Sequence, residues 1–179
     1  QEFYGVTPDM STAGKIMGGG YPLAGVLGRA DIFSVFDRGV SDDDTWINQI
    51  GTLNGNPIAC AAGLATLEVM REKDTYKKIH GAGATVKNEL LDLCEKNGIA
   101  VQYCGEDAIF DVYFSEQPIT NYRDTLAADN AMMNRYNTGM LERGILKGAQ
   151  KYYPSAVHDE EALEKTVQAM REVVPTIQG

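Results

Sequence analysis

The 179-residue sequence predicts an α/β fold built in two parts. Three features point to it. Residues 1–69 are rich in glycine, carry little charge before Arg29 and contain the apolar run Leu23-Ala24-Gly25-Val26-Leu27, a pattern of buried strand and tight turns. From Arg71 onward the character changes to amphipathic helices with charged faces, which sets a domain boundary at 72/73. Two short alternating segments, 99–104 and 109–114, then read as strands between long helical stretches.

In the first part, residues 31–36 make a short helix and Ser41-Asp42-Asp43-Asp44-Thr45 a polar loop, either plainly solvated or gating. Pro57 suits the first turn of a helix over 57–70, whose small residues predict close packing on both sides. In the second part, Ile79, Val86, Leu90, Leu93 and Cys94 recur at helical spacing over 75–97, and Asn97-Gly98 gives a C-terminal stop. The two strands follow, with Gly105-Glu106-Asp107 as their turn. A long helix over 123–143 ends at Gly144, a short strand occupies 145–148, and a loop through Tyr152-Tyr153-Pro154 leads to a last helix over 159–174. The second part therefore has the order αββαβα, an α/β sandwich.

A formal net charge of −9, with no dense run of Lys and Arg, argues against a nucleic-acid surface and for a small-molecule partner. No stretch has the roughly 18 to 20 apolar residues of a membrane helix, and no signal-peptide order opens the chain, so a cytoplasmic protein is expected. Cys60, Cys94 and Cys104 are odd in number and lack zinc spacing, which predicts buried thiols and no metal.

The chemistry concentrates in Thr12-Ala13-Gly14-Lys15-Ile16-Met17-Gly18-Gly19-Gly20-Tyr21-Pro22-Leu23-Ala24-Gly25. A single lysine sits among glycine and apolar residues, where a charged amine must be neutralised, paired or used covalently. Burial lowers a lysine pKa toward the range in which the amine is a nucleophile and a base, as Schiff-base chemistry requires. Three consecutive glycines admit a flat ring close to the backbone. A lysine snorkelling beside a glycine turn fits the same pattern. The glycine spacing satisfies neither a P-loop nor a dinucleotide fingerprint. Further on, Gly51-Thr52-Leu53-Asn54-Gly55-Asn56-Pro57 runs straight into a helix, and a hydroxyl with backbone amides near a helix start makes a natural phosphate site. Taken alone, Thr52 also reads as an ordinary turn or cap residue.

Together these segments resemble the class III (subgroup II) pyridoxal-phosphate aminotransferases, and within them the glutamate-1-semialdehyde 2,1-aminomutases by pattern. The resemblance also covers Tyr4-Gly5-Val6-Thr7-Pro8-Asp9 and the run to Ala65-Thr66-Leu67, and continues more weakly through 140–145 and 155–161. It implies the C-terminal part of a fold type I transferase, with 1–72 closing the large cofactor domain and 73–179 forming the small α/β domain. It implies that Lys15 forms the Schiff base with pyridoxal 5'-phosphate and shuttles the proton between Cα and C4′. It implies that Gly51 and Thr52 reach the cofactor phosphate of a neighbouring subunit, hence a homodimer with shared active sites. The family's aspartate for the pyridine nitrogen, its ring-stacking aromatic and a phosphate loop belong to an N-terminal part that does not precede Gln1, so this chain alone is expected to be catalytically incomplete.

The 28–52 segment looks longer than in typical aminomutases, and Trp46-Ile47-Asn48-Gln49-Ile50 replaces the usual tyrosine-glutamine lead-in. That region gates intermediate release in the mutases, so the departure favours intermolecular transfer between an amino acid or amine and a keto acid. Intramolecular amino transfer and a non-catalytic dimerisation module are the alternatives. Elsewhere, His80 and His158 read as surface or capping residues. Lys147 and Lys151, in the loop Lys147-Gly148-Ala149-Gln150-Lys151, are candidates to contact a substrate carboxylate but read as solvated. Tyr122, Tyr136, Tyr152 and Tyr153 read as core or interface packing, and no serine has a hydrolase context.

Overall fold

The computed structural model describes residues 1–178. The chain divides into two compact units, Gln1–Glu72 and Lys73–Gly179.

The first unit is built around a two-stranded antiparallel ribbon, β1 (Met10–Gly14) and β2 (Ala24–Gly28), in which Gly14 faces Ala24. A 3-10 turn, Lys15–Gly18, leaves the end of β1. A short helix, α1 (Ala30–Phe33), continues as a 3-10 turn over Ser34–Phe36. Asp42 then closes a local turn by accepting from the Thr45 amide and hydroxyl at 2.8 and 2.6 Å. The main helix is α2 (Pro57–Arg71), capped by the Asn56 side chain, which accepts from the amides of Ile58 and Ala59. The expected burial is not met here. Val26 and Leu27 are 50% and 57% exposed, and Ile58 and Leu64 of α2 are 63% and 64% exposed. A two-stranded ribbon with one helix has too few layers to cover both faces of either.

The second unit is a two-layer sandwich. Its sheet has the order β3 (Val101–Glu106), β4 (Ile109–Phe114), β5 (Lys151–Tyr152), all antiparallel. Phe110, Val112 and Phe114 alternate inward from β4 and meet the apolar stripes of α3 (Thr75–Lys96), α5 (Asn130–Glu142) and α6 (Glu160–Val173). Leu90, Cys94, Tyr136, Met140 and Met170 are fully enclosed. Gly98, at φ 67°, takes the left-handed step that ends α3, while Asn97 N–H returns to the carbonyls of Leu93 and Cys94.

Three expectations for this unit are corrected. The β3–β4 turn is only Asp107-Ala108, because Gly105 and Glu106 pair with Phe110 and Ile109. The long helix is broken into α4 (Tyr122–Thr125) and α5. Asn121 and Asp124 form a capping box that starts one turn; Asp129 then caps α5 through Met132 N–H while its own N–H donates to Phe114 O at 2.9 Å. Such side-chain caps outcompete continuation of a helix through 126–129. The third strand lies at 151–152, where Tyr152 faces Phe110, and not at 145–148.

Lys147 explains that displacement. Its Nζ donates to Asn137 Oδ1, Gly148 O and Ala149 O at 2.7, 2.7 and 2.8 Å, turning those carbonyls toward the amine and away from a ladder. The ammonium lies 5.6 and 4.8 Å from the ring centres of Tyr136 and Tyr152. Lys147 is therefore not a solvated lysine. Burial pulls its pKa down to about 8, opposed by the negative charge of Asp111. Lys151 instead pairs with Asp111 at 2.8 Å, which holds its pKa up. Tyr136 and Tyr152 are core residues whose hydroxyls share a hydrogen bond of 2.9 Å, whereas Tyr122 and Tyr153 are exposed. Of the cysteines, all free, only Cys94 is fully buried, and burial pushes its thiol pKa up to about 12. No helix among the described residues is long and apolar enough to cross a membrane.

Two outcomes follow for stability. Truncating Leu90 to Ala, at a site with no exposure, should cost about 2–5 kcal/mol in urea unfolding; a loss under about 1 kcal/mol would show that the site collapses. For Lys147, the amine releases its proton near pH 8 when folded but near its ordinary 10.5 when unfolded. Below pH 8 both states are charged and the burial cost is present in full; between 8 and 10.5 the unfolded state binds the extra proton, so stability rises with pH. Relative to Lys147→Met, the parent chain should gain stability from pH 7.5 to 10, and a pH-independent difference would contradict the buried amine.

Candidate functional site

The residues singled out by sequence sit on two turns of the first unit. Lys15 follows the last residue of β1, and its φ is 54°, the only positive φ at a non-glycine position among the described residues. An L-residue with a Cβ pays for that region in steric repulsion, and such conformations persist only where the surroundings impose them. Gly18 is buried, and Gly19 at φ 57° ends the turn by donating to Ile16 O at 3.1 Å. The chain then reverses through Tyr21 N–H to Gly18 O at 3.0 Å and Leu23 N–H to Tyr21 O at 2.9 Å, delivering Leu23 to the start of β2.

Beneath this turn lies α2. A Cβ at Gly63 would overlap Leu23 Cδ2 and stand 3.3 Å from Met17 O; a Cβ at Gly19 would overlap Thr66 Oγ1 and stand 3.3 Å from Ala62 O. The two backbones thus meet through glycine on both sides. Thr66 keeps its hydroxyl turned to its own helix, on Ala62 O at 2.9 Å.

The second turn precedes α2. Asn54 N–H donates to Gly51 O at 3.0 Å, and the Asn54 amide side chain reaches back to Gln49 Oε1 at 2.7 Å, so Gly51 and Thr52 ride on a closed loop. A Cβ at Gly51 would lie 2.8 Å from Asn54 Oδ1, so the Asn54 side chain would have to shift to admit one. Gln49, Ile50, Gly51, Thr52 and Asn54 line a shallow groove, and Lys15 is not among its walls. A second, larger groove runs between Thr12, Pro22–Val26 and Leu53–Gly55, joining the strand ends that flank the lysine turn to the loop that carries Thr52.

Lys15 and Thr52 are both exposed, and among the described residues neither the Lys15 amine nor the Thr52 hydroxyl and amide makes a hydrogen bond. The expected dry setting for Lys15 is therefore not supplied by these residues. What they offer is a free amine on a fixed turn and two unengaged donors on another. That donor set fits a ligand bearing a carbonyl carbon and a phosphate. His158 accepts from Ser155 N–H through Nδ1 at 3.2 Å in the turn before α6, whose cap is Asp159, and lies far in sequence from either turn. Among the described residues no cluster of three His, Cys, Asp or Glu side chains is arranged for a metal. Nothing local in the sequence marks the half-buried Lys147, whose partners are brought together only by tertiary packing; the left-handed Lys15 has no signature beyond the glycines around it.

The family model for class-III aminotransferases matches residues 1–174. The chain is 32% identical over 176 residues to a glutamate-1-semialdehyde 2,1-aminomutase of Methanocaldococcus jannaschii, covering 97% of this chain and 40% of that protein. Its fold superposes on an omega-transaminase of Sphaerobacter thermophilus with a TM-score of 0.85 at 24% identity, covering all of this chain and 41% of the other. A transaminase solved with PLP bound gives a TM-score of 0.84 at 21% identity, covering 98% and 40%. The chain thus spans about 40% of the length of the proteins it matches and has the corresponding part of their α/β, fold type I architecture. With nearly all of its length accounted for by one family model, this chain belongs to the class-III aminotransferases.

Proposed function

We propose that the chain is the lysine-bearing part of a pyridoxal-phosphate-dependent aminotransferase, with Lys15 as the residue that binds the cofactor covalently. The observation that carries this reading is the free Lys15 amine on a left-handed residue at a strand end, in a glycine-lined turn. Strained backbone at a non-glycine residue is found most often at functional sites. Residues 1–72 then close the large cofactor domain and 73–179 form the small domain.

Lys15 Nζ would hold the cofactor covalently, and the Thr52 hydroxyl and amide, with Gly51 keeping the backbone accessible, would hold the phosphate of the cofactor in the neighbouring subunit. When bound, pyridoxal phosphate supplies an electron sink for the carbanion left when an amino substrate loses its α-proton. The Lys15 amine would then be the group that moves that proton, acting as base and then acid. Thr52 faces outward from its own unit, which supports a phosphate contact made across a two-fold homodimer interface. The same exposure of Lys15 and of the β1–β2 ribbon requires that further polypeptide exclude water from the amine in the whole enzyme. The partners are accordingly an amino donor, a keto acceptor and the remaining, N-terminal part of the fold. The free thiols support a reducing, cytoplasmic setting.

Transfer between two molecules is the favoured reaction, because the 28–52 segment with its Trp46–Ile50 stretch departs from the mutase pattern. Intramolecular transfer is the second reading, favoured by the aminomutase relative. Exchange of amino groups with an added keto acid separates them: incorporation of the acceptor's carbon skeleton into amino product marks the transaminase.

Borohydride reduction of the whole enzyme followed by peptide mapping should place a pyridoxyl group on Lys15, and an adduct elsewhere, or none, would overturn the assignment. Lys15→Ala should lower turnover on the order of 10³-fold or more while the protein stays folded. Thr52→Ala should weaken cofactor affinity by about tenfold to a hundredfold with little effect on turnover at saturation; unchanged affinity would remove Thr52 from the phosphate site.

A further inference from the structure

Lys15 occupies a backbone region that its side chain disfavours, and such a conformation persists where the turn and the packing around it hold it. The 3-10 turn Lys15–Gly18 has its own short-range hydrogen bonds, and those from Gly19 N–H to Ile16 O and from Tyr21 N–H to Gly18 O extend it beyond the lysine. What presses on the turn from outside is α2. Ala59, Ala62, Gly63 and Thr66 recur at i, i+3, i+4 and i+7, one face of the helix, and Ala59 is 1% exposed and Gly63 buried. Gly63 admits Leu23 and the Met17 carbonyl; the Ala62 carbonyl and Thr66 hydroxyl fill the space beside Gly19. The rest of α2 stays open, with Ile58, Leu64 and Val69 all at least 49% exposed, so tight contact is confined to the strip under the lysine turn.

We infer that Gly63 and Thr66 are positioning residues for Lys15: the backbone-close seat of α2 against Met17, Gly19 and Leu23 fixes the turn, and through it the direction and reactivity of the Lys15 amine. The inference rests on the assignment of Lys15 as the cofactor lysine for its role in catalysis, but the seat itself is independent of it. Since α2 begins at the Asn56 cap directly after the Gly51–Thr52 loop, the same helix ties the phosphate-binding turn to the amine. Movement of α2 along its axis would displace both together.

The test uses the whole enzyme, with the cofactor removed and then restored. Competitive acetylation with acetic anhydride over a range of pH, read by peptide mapping, gives the reactivity and pH midpoint of the Lys15 amine; thermal unfolding is recorded beside it. Gly63→Val adds bulk against Leu23 and the Met17 carbonyl, and Gly63→Ala is the milder form should the first fail to fold. Either should change Lys15 acetylation by about threefold or more, and Leu23→Ala in the same chain should restore it, because the added side chain then occupies the space Leu23 gave up. Thr66→Ala should move it in a graded way. Lys15 reactivity and midpoint unchanged in Gly63→Ala and Gly63→Val, with only the melting temperature lowered, would overturn the inference. A separate arm addresses the cofactor: pyridoxal phosphate should protect wild-type Lys15 from acetylation, and its failure to do so would refute the cofactor assignment while leaving the seat to be judged by the reactivity ratios.

Discussion

The approach of one helix backbone to one turn backbone governs the first unit. Side chains on α2 at 63 and on the turn at 19 are absent, and the gap so opened is filled by Leu23, by the Ala62 and Met17 carbonyls and by Thr66. A contact of this kind is short-ranged and steep: a displacement of half an ångström either forfeits dispersion energy or meets repulsion. It fixes geometry more strictly than an equal area of flexible aliphatic packing. A lysine in the left-handed region, the end of β1 and the start of β2 all hang on that contact, which is why a unit with so little covered surface still presents a defined turn.

The second unit is organised by the opposite means. Large side chains from one strand, Phe110, Val112 and Phe114, fill the space between the sheet and three helices. Its polar exceptions are internally answered: the Lys147 ammonium has three oxygen acceptors and two ring faces, and no buried side-chain nitrogen or oxygen among the described residues lacks a partner. Burial of an amine costs stability, yet the carbonyls it gathers bend residues 147–149 into the shape that brings Tyr152 to the sheet edge.

Much of this architecture was legible beforehand. Periodicity located α2, α3 and α6 to within a residue or two, since Pro57, Asn97-Gly98 and Asp159 mark their ends chemically. Alternation located β4. The break in 123–143 was missed because helical periodicity continues across Leu126–Asp129 while the deciding bonds, Asp129 to Met132 and to Phe114, are a cap and a tertiary contact. The short strand was misplaced because 145–148 has the apolar residues of a strand, whereas pairing is decided by where a folded-back lysine leaves free carbonyls. For the site, the lysine among glycines and the Gly51-Thr52 pair were visible as patterns; the φ of Lys15 and the small-residue face of α2 that meets it are relations between segments some fifty residues apart, which no local window contains.

The paired hydroxyls of Tyr136 and Tyr152 have a genetic corollary. Each phenol is the other's answer in a space closed to water, so losing one oxygen strands its mate, whereas losing both leaves two phenyl rings of nearly the same shape. The valley between the two-tyrosine and two-phenylalanine cores is therefore deeper than either rim. Homologous chains are expected to carry these positions as a matched pair, crossing from one state to the other only in steps that arrive together or under a stability surplus.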